Sequence, residues 1–153
     1  MKCQGTCDSA RPLNCGVMRQ EAGVHVNPLV LKNWIALQHA ADGSVEHERL
    51  FPVFEVVYDM IRERPEEAWA FILEVLRNDD SSVVAENLSA GPLEDLLVYH
   101  GATFIDRIEQ EAHRNPRFAW LLGGVWQNAM PDLIWQRVQK VWDRRGWDDN
   151  PPA

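Results

Sequence analysis

The sequence predicts an all-α fold, a compact bundle or short α-solenoid of about seven to eight helices. Three observations carry that expectation. Proline recurs at the start of apolar-periodic segments, where its missing amide costs nothing. No segment alternates apolar and polar residues over enough positions to demand a strand. Seven tryptophans in 153 residues supply large apolar side chains for packing between helices.

Residues 1–26 are rich in glycine, cysteine and polar side chains without a helical period, and read as a flexible arm. Asn27-Pro28 is a capping residue followed by proline at the first helical position. Val30, Leu31, Trp34, Ile35 and Leu37 then make a broad apolar face that ends near Asp42-Gly43. Pro52 opens a second helix with Val53, Phe54, Val57, Met60 and Ile61 facing inward. A third begins at Pro65, with Trp69, Ile72, Leu73 and Leu76 on one face and Glu66 and Glu67 suiting the first turn. Ser82 is placed to cap a short helix over Val83–Ala90.

Gly91-Pro92 reads as a hinge. A left-handed Gly91 would close one helix, and Pro92 would start the next, with Glu94 and Asp95 in its first turn. Gly101 would stop that second helix, leaving His100 beside its last carbonyls. Thr103 and Asp106 resemble a capping box for another helix, whose buried stripe is Phe104, Ile105, Ile108 and Ala112. Asn115-Pro116 repeats the opening signal, and Gly123-Gly124 bends or ends the segment that follows. Pro131 starts the last helix, with Ile134, Trp135, Val138, Val141 and Trp142 at helical spacing. Arg144, Arg145 and Gly146 end it. The helical domain therefore spans 27–146, and 147–153 read as a mobile tail.

Net charge is −8 and the pI about 5.0, which disfavours nucleic acid as a partner. Acidity concentrates in residues 79–117, where eight carboxylates face three arginines. That stretch is either a solvated face or a surface that draws in a basic protein. Glu94, Asp95, Asp106 and Glu109 are its candidate partner-binding groups, and Trp142 and Trp147 near the C-terminus are candidate anchors. No apolar run reaches membrane-spanning length, and the N-terminus lacks the hydrophobic core of an export signal. A cytoplasmic protein is expected.

Candidate chemistry is sparse. Cys3, Cys7, Cys15 and His25 could supply four zinc ligands, but their spacing matches no compact structural pattern, and exposed thiols on an arm are expected instead. His100 suits a helix end, where a ring nitrogen meets free carbonyls; a general base would need Asp95 or Asp106 beside it and a pocket to work in. Glu109 and His113 share a helical face but lack the paired ligand motif of a di-iron site. Neither a phosphate-cradling glycine loop nor a Gly-x-Ser-x-Gly elbow is present. No catalytic residue, metal or cofactor is implied.

The run Ala90-Gly91-Pro92-Leu93-Glu94-Asp95-Leu96-Leu97 with His100-Gly101, then Phe104-Ile105 and Ile108-Glu109, resembles a bacterial family catalogued as domain of unknown function 6869. Asn115-Pro116-Arg117-Phe118, Leu121-Leu122, Val125-Trp126 and Ile134-Trp135 are similar to the same pattern. The resemblance spans roughly residues 30–145. It implies a small helical domain and carries no reaction. The function expected is a non-catalytic protein-binding module, such as an immunity protein neutralising a bacterial toxin. A hydrolase-like enzyme built on His100 and an oligomerisation adaptor are the alternatives.

Overall fold

Asn27 opens the first helix by accepting a hydrogen bond from the Leu29 amide at 2.9 Å, and Pro28 occupies the first helical position. The computed structural model describes residues 23–147, and every secondary-structure element among them is helical. The thiols of Cys3, Cys7 and Cys15, and with them the arm's zinc alternative, lie outside the described residues. Eight α-helices are described: α1 (Pro28–His39), α2 (Val45–Leu50), α3 (Val53–Glu63), α4 (Pro65–Asn78), α5 (Ser82–Leu88), α6 (Glu94–Arg114), α7 (Pro116–Leu122) and α8 (Asp132–Val141).

The proline and cap signals set most of these boundaries. Pro65 and Pro116 begin α4 and α7, and Asn115 caps α7 through the Phe118 amide. Ser81, not Ser82, caps α5, because its hydroxyl reaches the Val84 amide while Asp79 holds its own amide. Helix α2 was not anticipated. It follows the turn at Gly43, which takes φ +72°, and Ser44 caps it through the His47 amide.

The expected hinge at Gly91-Pro92 is replaced by a continuous path. Residues Ser89–Leu93 form one π-helical turn that joins α5 to α6. Pro92 has no amide for the carbonyl four residues back, and its ring would strike that carbonyl in an α-helix. Widening the turn by one residue relieves the clash, and the Glu94 amide donates to the Ser89 carbonyl five residues back. Gly91 is therefore not left-handed: among the described glycines only Gly43 and Gly146 have positive φ. Pro92 lies inside the turn rather than at a helix start.

The helix expected to stop at Gly101 does break there: α6 is two helical segments that meet across a kink at His100, whose φ and ψ are −133° and 16°. Thr103 lies in the first turn of the second segment rather than at its cap, and the capping box with Asp106 is not formed. Gly101 also lets α8 approach closely, since a Cβ there would lie 2.9 Å from Ile134 Cγ2.

Helix α6 is the central element and packs on α3, α4, α7 and α8. The core surrounds it: Trp34 meets Phe71 edge-on at 5.8 Å, and Trp69 meets Phe118 at 5.5 Å. Phe54, expected inward, is instead 52% exposed. It lies at the edge of the buried stripe of α3, on the same side as Val57 and Ile61, which are buried with Val53 and Met60.

Candidate protein-docking face

The acidic residues chosen from sequence do not form one surface. Glu94 is buried, and its carboxylate accepts from the Trp126 amide at 3.0 Å and from the Asn128 side chain. It holds the loop before α8 against α6. Asp106 and Glu109 converge on Arg137 of α8, at 2.5 Å and 2.6 Å from Nη2. The Arg137 hydrogen bond lowers the Glu109 carboxyl against the opposing effect of desolvation. Both charges are thus largely neutralised within the fold. Asp95 is the exception, with no ion pair or hydrogen bond among the described residues.

The C-terminal indoles also face inward contacts. Trp142 packs edge-on against Trp135 at 5.2 Å, with the Arg144 guanidinium 4.8 Å from its ring centre. Trp147, expected to open a mobile tail, is clipped to α7: its indole N–H donates to the Trp120 carbonyl at 2.8 Å, and the rings lie 4.9 Å apart. Reciprocally, the Trp120 indole donates to the Arg145 carbonyl at 3.1 Å. Gly123 and Gly124 have no room for a Cβ, which would run into the Asp143 carbonyl, the Ser89 hydroxyl and the Trp147 ring.

His100 caps a helix, but not its own. Its Nε2 lies 2.8 Å from the Ile61 carbonyl in the last turn of α3. A carbonyl only accepts, so the ring donates from that nitrogen. The bond ties the kink of α6 to the end of α3. Asp106, one of the two carboxylates considered for it, is held by Arg137.

A different face gathers unspent groups. Phe51 and Phe54 are each 52% exposed and stack with centroids 6.0 Å apart. One turn further along α3, Tyr58 meets Tyr99 of α6, rings 6.5 Å apart and hydroxyls 3.1 Å apart. That hydroxyl contact raises the Tyr99 phenol. Arg62 lays its guanidinium over both tyrosines, at 5.5 and 5.7 Å. Glu55, Asp59 and Glu63 are exposed along the same helix, and none is in an ion pair among the described residues.

Beneath this row is a crevice between α3, α1 and the π-turn, lined by Trp34, Phe54, Val57, Tyr58, Ile61, Gly91, Pro92 and Asp95. Its free volume is about 20 Å³, enough for a water-sized group and far below a small-molecule pocket. Burial pushes the Asp95 carboxyl up, and the neighbouring Glu94 charge adds to it. The signal for this face was present in the sequence. Phe54, Tyr58 and Arg62 recur every four residues, one stripe beside the buried Val53, Val57 and Ile61. Assigning Phe54 to the core with Val53, Val57, Met60 and Ile61 hid it.

Residues 40–146 match the family of unknown function DUF6869. The chain belongs to that family. No curated protein and no solved structure matches it. The matched span takes in α2 to α8, the π-turn and the tyrosine pair, and begins after α1, which contributes Trp34 to the crevice floor. No described group of histidine, cysteine, aspartate and glutamate side chains is arranged to hold a metal ion, and no described helix is long and apolar enough to cross a membrane.

Proposed function

We propose that this chain is a non-catalytic helical module that binds a basic protein partner through the row Phe51, Phe54, Tyr58 and Tyr99. One observation carries the proposal: these four aromatic side chains form two pairs one helical turn apart on α3, partly exposed, on a helix whose carboxylates no cation among the described residues engages. Aromatic side chains and arginine dominate binding energy at protein interfaces, while rim charges set encounter rate and partner choice. A net charge of −8 favours a basic partner for the same reason. An immunity protein that neutralises a toxin is the specific form of this function that a small acidic binder serves.

A hydrolase-like alternative through His100 gains nothing from the geometry. The ring nitrogen that donates to Ile61 is committed to a helix end, and Asp106 to an arginine. An oligomerisation adaptor would instead show itself by a solution mass above that of one chain.

The test is photo-crosslinking in the native host with a reactive group placed at Glu55, an exposed position next to Phe54, followed by identification of the captured protein. Phe51→Ser and Tyr99→Ser should each abolish capture by the full chain. Leu133→Ser, at a 75% exposed position on α8, should leave it unchanged. Capture that ignores the first two substitutions sinks the proposal, as does a captured protein with an acidic surface.

A further inference from the structure

We infer that the crevice between α3 and the π-turn receives the ammonium group of a lysine side chain from the partner, with Asp95 as its counter-ion. The inference deepens the proposed docking function and rests on it.

Charge comes first. Asp95 is half-buried and lines the crevice, yet no donor among the described residues reaches its carboxylate. A half-buried carboxylate with no cation of the described residues beside it is open to one that a partner supplies. Glu94 is turned to Trp126 and Asn128, and Arg62 lies over the tyrosine rings.

Aromatic lining comes second. Trp34, Phe54 and Tyr58 line the same crevice as Asp95. Aromatic faces attract a cation, and the attraction grows as water is excluded. Arg62 already shows that the Tyr58 ring attracts a cation on this face of the molecule.

Size decides between the two cationic side chains. Free space of about 20 Å³ accommodates a water-sized group, which an ammonium is. A guanidinium is a wide plane that needs a broader slot. The four-carbon stem of lysine can lie along Phe54 and Pro92 while the charged head reaches Asp95.

The experiment titrates the full chain with Nα-acetyl-lysine methylamide, followed by NMR of the Trp34 indole and the Tyr58 ring. The neutral norleucine analogue and the arginine analogue are run beside it. The lysine derivative should shift both signals saturably, at least tenfold more tightly than norleucine, and Asp95→Asn should remove that margin. Asp95→Asn should melt no lower than the natural chain, so lost binding will not reflect unfolding. Equal binding of norleucine, tighter binding of arginine, or an unchanged margin in Asp95→Asn each overturns the lysine slot. Partner capture separates this from the docking proposal. Capture lost with Phe51→Ser but kept with Asp95→Asn overturns the slot and leaves the docking row standing. Capture indifferent to Phe51→Ser overturns the docking row itself.

Discussion

Two glycines ten residues apart do opposite work. At Gly91 a Cβ would meet nothing within 4 Å, and the backbone is helical, so nothing there requires glycine. Gly91→Ala should stabilise the fold by about 0.5–1 kcal/mol, because alanine loses less backbone entropy on ordering. Urea unfolding checks this, and a clear loss would show that the turn needs backbone freedom after all. At Gly101 the same methyl would press on Ile134 of α8 at 2.9 Å. Gly101→Ala should cost about 1–3 kcal/mol as the two helices are forced apart. A paired Ile134→Ala, which removes both γ carbons that the methyl meets, should recover part of that loss, since the strain and the relief share one contact. The sequence shows both glycines in the same helix-ending guise, and only their neighbours tell them apart.

Among the elements, the segment after α8 depends most on contacts distant in sequence. It returns across α7 through the Asp143 amide on the Ala119 carbonyl at 2.8 Å and the two reciprocal indole bonds of Trp120 and Trp147. Trp147→Ala removes one indole bond and the ring that covers Gly123 and Gly124. Hydrogen exchange at the Asp143 amide should then accelerate at least tenfold while amides in the middle of α6 keep their protection. Equal acceleration in both places would mean that the segment is part of the global unit rather than a separately opening strap. The π-turn is legible by the same physics once the chain path is known. Pro92 disrupts an α-ladder whether the helix ends or widens, and sequence offers no sign of which occurs. The burial of Leu88 and Leu93 on either side of the turn favours widening, because a corner would pull one of them out of the core.

At the scale of the whole molecule, acidity is mostly structural. Desolvation opposes ionisation of Asp79, but hydrogen bonds from the Ser81 hydroxyl, His39 and the Ser81 amide overcome it and hold the carboxyl at about 2. Asp143 is likewise held at about 2, chiefly by the Arg145 side chain and amide. A carboxyl depressed in the folded state contributes stability that is complete above its ordinary pKa near 4 and is lost as pH falls through the folded value. Thermal stability should therefore decline between about pH 4 and pH 2, and Asp79→Asn should flatten that decline while lowering the plateau above it. Asp95 runs the other way. Its raised carboxyl favours the protonated fold, so it contributes below its ordinary pKa and detracts once pH rises past the folded value. Calorimetry from pH 2 to pH 7 on both variants checks the signs. A steeper acid limb in Asp79→Asn would contradict the role given to its hydrogen bonds.

Most helix starts, the all-α class and most of the core stripes follow from local chemistry: proline without an amide, asparagine and serine as caps, apolar residues every three or four positions. These act within one or two turns, so neighbours along the chain suffice to declare them. The working face does not follow in that way. Whether Glu94 is a surface charge or a buried clasp, whether Asp106 and Glu109 are free or held by Arg137, and whether Phe54 faces in or out all depend on groups some twenty-eight to forty residues away. Burial and pairing are properties of three-dimensional neighbours. A carboxylate carries the same formal charge in sequence whichever of these fates the fold assigns it.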